Sequence, residues 1–127
     1  MRIKYIVKQP SILKKIRGED IHQNFQERVK YLDEFSYTIT TKQMRIPNAG
    51  LVPLENKVYR YLTERECFRL MGFSDEDFDK LREVYPEKKG KTSSMLYKQA
   101  GNSIVVKVLE KVTKEIIFVK FHIKELV

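Results

Sequence analysis

The chain has 127 residues, 42% of them apolar and 33% charged, enough for one modest domain and too few for a catalytic domain with a separate recognition domain. A formal charge of +8 and a pI near 9.5 point to a polyanionic partner, with a solvated lysine-rich surface as the bland reading of the same excess. The single cysteine excludes an internal disulfide, a thiolate metal cage and a CxxC redox pair, and it suits a reducing cytoplasm.

The N-terminus is neither a signal peptide nor a membrane span. Ile3, Tyr5 and Val7 alternate with Lys4, Ile6 and Lys8, which predicts a short half-buried strand. Ser11, after Pro10, is placed to cap a helical turn carrying Ile12, Leu13 and Ile16, and Gly18 to stop it. Helical spacing of Ile21, Phe25, Val29 and Leu32 predicts a helix from Asp20 to Leu32. The β-branched and aromatic run from Phe35 to Thr41 predicts a strand. Pro47-Asn48-Ala49-Gly50 is a turn signal, and Leu51-Val52 and Lys57 to Tyr61 flank a second turn at Glu55-Asn56, giving a small β-rich unit over roughly 35–61. Basic charge gathers in this half: residues 1–60 hold 12 Lys or Arg against 6 Asp or Glu.

From Thr63 the pattern turns helical. Thr63 and Glu66 form a T-x-x-E capping box, with Leu62 and Cys67 spaced as a hydrophobic staple. Cys67, Leu70 and Met71 share a stripe, and Gly72 supplies the left-handed exit. Ser74 with Asp75, Glu76 and Asp77 opens a second helix through Phe78 and Leu81, closed by Pro86. Thr92, Ser93 or Ser94 caps a third, ending near Ala100 with Gly101 as breaker. A last helix starts at Asn102 or Ser103 and carries Val105, Val108, Leu109, Val112 and Ile116, although Ile116 to Val119 also suits a strand. The fold class is therefore α+β: a β-rich unit over 1–61 with an N-terminal strand and helix, then short helices and a longer C-terminal one over 62–127.

Few motifs carry chemistry. The five glycines form neither GxGxxG nor a P-loop. His22 and His122 lack companions at ligand spacing, so no metal site is expected. Ser11 to Lys14 matches S-x-x-K by chance. Cys67 falls on an apolar stripe, where a thiol is a small buried hydrophobe rather than a nucleophile.

Two longer strings change this reading. Arg60, Leu62, Thr63, Arg65, Glu66, Arg69, Leu70, Gly72 and Phe73 match R-x-L-T-x-R-E-x-x-R-L-x-G-F, and Tyr97, Gln99, Gly101, Asn102, Ser103 and Val108 match Y-x-Q-x-G-N-S-V-x-x-x-V except at its first Val, where Ile104 stands. In this order and separation they resemble the end of the target-recognition region and the final block of the DNA (cytosine-5)-methyltransferases. Thr38-Ile39 looks like the Thr-aliphatic pair of that family's recognition region, which implies that Thr38, Ile39, Lys42, Gln43 and Arg45 lie where members read DNA. Gln suits adenine, Arg guanine and Lys a phosphate. An ordinary polar turn tip is the alternative.

The resemblance further implies that Asn102 and Ser103, at a helix N-terminus, touch the methionine end of S-adenosylmethionine, with simple capping as a compatible role. Thr63, Arg65, Glu66, Arg69, Gly72, Gln99 and Gly101 would be structural. The family's chemistry needs a cysteine after a proline to attack a flipped cytosine. None of Pro10, Pro47, Pro53 and Pro86 precedes a cysteine, and the Glu-Asn-Val string and glycine-rich cofactor loop are likewise missing. The expectation is a recognition and C-terminal portion that is inactive alone, as one subunit of a split enzyme or a truncated product. It would bind double-stranded DNA, a catalytic partner and, through that partner, the cofactor. The last helix should leave an apolar face for the partner or for self-association. A non-catalytic DNA-binding or regulatory module on the same scaffold is the rival.

Overall fold

The structure, a computed structural model, describes residues 3–19, 29–45 and 48–126. Its α+β character is as expected: a two-stranded antiparallel sheet with several helices, the longest at the C-terminus.

The first segment is a strand only in part. Ile3–Tyr5 form a 3-10 turn, and the chain straightens where Val7 N donates to Tyr59 O and Tyr61 N to Tyr5 O, both at 2.9 Å. Tyr5 and Val7 point inward and Ile3 is exposed, so alternation holds only along the three residues that find a pairing partner. Helix α1 (Pro10–Arg17) has Gln9, not Ser11, at its cap, with Pro10 in the first turn. Proline needs no acceptor there and its fixed φ favours that place. Gly18 ends α1 at φ 71 as anticipated.

Residues 20–28 of the expected helix lie outside the described residues. Residues 29–32 are not helical: Leu32 N donates to Leu51 O and Leu51 N to Lys30 O, each at 2.8 Å. The strand expected from Phe35 to Thr41 does not form. Phe35 lies in a bend, among the described residues the run is held by the backbone bond from Tyr37 N to Ala49 O, and Phe35 and Tyr37 pack ring to ring at the surface. β-propensity reflects packing against ladder neighbours, and this run has no ladder. The hairpin does form. Strands β1 (Val52–Pro53) and β2 (Tyr59–Arg60) pair Val52 with Arg60 and Pro53 with Tyr59. Asn56 and Lys57 both take φ 57 at the turn, the left-handed pair a tight hairpin needs.

Helix α2 (Glu64–Leu70) is capped at both ends. The Thr63–Glu66 box is complete; at the other end Gly72 N donates to Arg69 O and Phe73 N to Phe68 O, the paired exit for which Gly72 takes φ 87. Helix α3 (Asp75–Val84) is capped by Ser74 with a second box through Asp77. Helix α4 (Ser94–Asn102) is capped by Ser93. It runs through Gly101 instead of breaking there, and Asn102 belongs to its last turn, with Ser103 as C-cap. The final helix α5 (Val106–Leu126) begins at Val106 instead of Asn102 or Ser103 and is helical through Ile116 to Val119.

One buried cluster joins helices α2, α3 and α4 to the preceding segment, and a second gathers Val7, Ile12, Leu51 and Tyr61. Leu62, Cys67, Phe68 and Met71 meet Phe78 of α3, Leu96, Tyr97 and Ala100 of α4, and Ile39 and Ala49 from the preceding segment. Burying a side chain such as Phe68 contributes about 1.5–3 kcal/mol. Val105 packs on this core and Val106 N donates to Met71 O at 2.9 Å. Beyond them α5 leaves the body: Val108, Leu109, Val112 and Ile116 are 48–62% exposed.

Candidate nucleic-acid interface

A clasp ties the hairpin to α2. Arg60 Nη1 and Nη2 donate to Glu66 Oε2 and Oε1 at 2.8 and 2.9 Å. The same carboxylate accepts from Thr63 N at 2.8 Å, while Thr63 Oγ1 accepts from Glu66 N at 3.2 Å. Burial raises the Glu66 pKa, but the Arg60 guanidinium and the Thr63 amide outweigh it and hold the carboxyl below its ordinary value. Three string positions therefore act as one joint: the cap starts α2, and its acid is oriented by the arginine arriving from β2.

Arg65 and Arg69 face α3. Arg69 grips Asp75 through two bonds of 2.8 and 2.6 Å, and Arg65 pairs with Asp79 and Asp75 while its guanidinium lies 4.5 Å from the Phe78 ring centroid. Arg69, aided by Arg65, pulls the Asp75 pKa down to about 2. These arginines brace two helices. Cys67 is fully buried, and burial, with the nearby Glu64 and Glu66 charges, pushes its thiol up to about 12. It carries no thiolate at neutral pH.

Glu64 plays a part that sequence reasoning missed. It is 1% exposed and accepts from the Tyr5 hydroxyl and from Ser93 N, the latter at 2.5 Å. One carboxylate thus links the N-terminal segment, α2 and the cap of α4. Tyr97 adds a parallel link by donating its hydroxyl to Leu62 O at 2.5 Å; burial, then the Glu64 charge, raises its pKa. The available signals were a Glu one place after a cap and two tyrosines, none diagnostic without the partners.

The proposed reading segment is a turn at residues 41–45, closed by Arg45 N donating to Lys42 O at 3.0 Å. Thr38, Lys42 and Arg45 are exposed around it. Ile39 is buried in the core below it. Gln43 faces inward, 3% exposed, and its Nε2 donates to Thr40 O at 3.0 Å, so as placed it offers no amide to a base edge. Gln99 lies exposed on α4, and Gly101 sits inside that helix against the 40–41 backbone.

A family model described as C-5 cytosine-specific DNA methylase matches residues 4–118. The chain belongs to that family. Its relatives include the orphan methyltransferase M.Rho11sI of Bacillus phage rho11s, 44% identical over 101 residues that make up 78% of this chain and 18% of that protein. The orphan methyltransferase M.SPRI of Bacillus phage SPR is 41% identical over 114 residues, 88% of this chain and 24% of the other. The type II methyltransferase M2.ScrFI of Lactococcus lactis subsp. cremoris is 47% identical over 78 residues, 61% and 20% of the two chains. The chain thus spans about a fifth of the length of the relatives it matches. No solved structure matches it.

Family members act on DNA and generally use S-adenosylmethionine. The described residues do not by themselves fit that cofactor. Asn102 stands exposed in the last turn of α4, and Ser103 spends its hydroxyl on Ala100 O at 2.6 Å and its amide on the same carbonyl at 3.2 Å. They close one helix instead of opening another, and the helix N-terminus expected at these two residues lies instead at Val106. Among the described residues no group of His, Cys, Asp and Glu could hold a metal ion, and no helix is long and apolar enough to cross a membrane.

Proposed function

We propose that the chain is the target-recognition and C-terminal portion of a DNA (cytosine-5)-methyltransferase, inactive by itself and completed by a catalytic domain carried on another polypeptide. In this reading residues 1–61 belong to the recognition region and residues 62–127 to the helical part. Carrying the proposal is one observation: the two family strings fold into a single packed unit, Arg60 to Phe73 as clasp and α2, Tyr97 to Ser103 as α4, joined through Tyr97 and Leu62. The bare face of α5 adds support, since an apolar stripe of this length needs a cover. The catalytic domain would supply it, with self-association through α5 when the domain is absent.

DNA reading is assigned to Thr38, Lys42 and Arg45 around the 41–45 turn, with Ile39 anchoring the turn and Gln43 organising it from inside. Asn102 and Ser103 would meet S-adenosylmethionine only once the second domain supplies the rest of its site. A lone buried thiol suits work in the cytoplasm.

Binding to duplex DNA tests the recognition half. Affinity should fall linearly in log-log coordinates as salt rises, with a slope of about −0.9 per phosphate contacted. Lys42→Ala should lower that slope by about one unit, and an affinity indifferent to salt would refute the assignment. Salt-dependent binding without any methyl transfer in the presence of a catalytic partner would favour a DNA-binding or regulatory module.

A further inference from the structure

The Thr40 peptide is held from two sides. A Cβ on Gly101 would stand 2.4 Å from Thr40 C and Thr41 N and 2.8 Å from Thr40 O, so no side chain fits between α4 and this backbone. Those atoms are main chain and cannot swing aside. From the other side the buried Gln43 donates Nε2 to the same Thr40 O at 3.0 Å. Ile39, buried before the peptide, and Met44, half-buried after it, dock on the core, while Lys42 and Arg45 project outward. The helix providing the seat is itself fixed to α2 through Leu96, Tyr97 and Ala100. A glycine within a helix interior is ordinarily a cost to stability relative to alanine. Here its missing side chain is what lets the turn approach.

We propose that Gly101 and Gln43 are positioning residues that fix where the 41–45 turn stands relative to the helical core, and thereby set which base sequence the chain prefers. The inference rests on the DNA-reading assignment above. Base readout depends on side chains meeting base edges within hydrogen-bond geometry, whereas attraction to phosphates tolerates displacement. Shifting the seat should therefore flatten sequence preference and leave general affinity in place.

The test uses the full chain, with Gly101→Ala, Gln43→Ala and, as a surface control on α4, Gln99→Ala. Each is incubated at low salt with a library of duplexes randomised at its centre, and bound sequences are counted; hydrogen exchange of the amides from Thr40 to Arg45 is followed in parallel. We expect the unaltered chain and the Gln99 variant to enrich one sequence. Gly101→Ala and Gln43→Ala should each lose about tenfold of that enrichment, keep the affinity for unselected duplex and its salt slope, and exchange the 40–45 amides faster while α2 and α4 stay protected. If both variants enrich the same sequence to the same degree, the positioning role is overturned. If the unaltered chain enriches nothing, the DNA-reading assignment itself falls and takes this inference with it. Should Gly101→Ala unprotect α2 and α4 as well, Gln43→Ala, which inserts no atoms, decides the question alone.

Discussion

Helices α2 and α5 sit at opposite extremes of the same chain. The seven residues of α2 are too few to persist as an isolated helix, yet both of its ends are capped and its Cys67 and Phe68 are buried. The 21 residues of α5 have length in their favour, but from Val108 to Val119 their apolar side chains meet solvent. Local signals decide that a helix forms, and tertiary cover decides what it is for. A covered helix reports on the stability of this chain, a bare one on what the chain joins.

The contrast is sharpest in core truncations. Phe68→Ala should cost about 3–5 kcal/mol in urea unfolding, and Cys67 should then react with a thiol reagent far faster, because its labelling requires opening. Retained stability in that variant would mean that α2 is not the keystone of the core. Next comes the clasp: Thr63→Ala should cost about 1 kcal/mol, and Glu66→Ala more, since it also strands Arg60.

Acid should act on the same region. Glu66, Asp75 and Asp77 all have folded pKa values below their ordinary ones, so their contribution is complete above the unfolded values and disappears as pH falls through the folded ones. For Asp75 that window runs from 3.8 to about 2. Stability should therefore be flat down to about pH 5 and then decline, followed by unfolding titrations; a decline beginning near neutrality would contradict the assigned pairs. The smallest change is expected in α5, where Ile116→Asp should alter unfolding by about 0.5 kcal/mol or less while shifting any self-association toward monomer in sedimentation.

What the sequence disclosed follows the same division. The Thr63 box, the Ser74 start and the Gly72 exit depend on residues three to five apart, and all three could be read directly. Ser11 offers a capping side chain, but Pro10 occupies the first turn and moves the cap to Gln9. The run from Phe35 to Thr41 looked like a strand by composition, but a strand is a relation to a neighbour, and its propensity says nothing about whether a neighbour arrives. Gly101 reads as a breaker in the sequence because the reason for its small size is the peptide at Thr40, far away along the chain. Glu64 stayed hidden for the same reason, its partners being Tyr5 and Ser93. The family strings led to the right elements, yet the helix boundary at Asn102 and Ser103 moved by a few residues, enough to change what those side chains can hold.

The central claim is that this chain completes a catalytic domain it does not itself contain. The direct measurement is transfer of labelled methyl groups from S-adenosylmethionine to duplex DNA by this chain, by a separate chain bearing the Pro-Cys, Glu-Asn-Val and glycine-rich segments, and by the two mixed. Transfer by the mixture alone is the expected result. Transfer by this chain unaided, or none from the mixture, would contradict it.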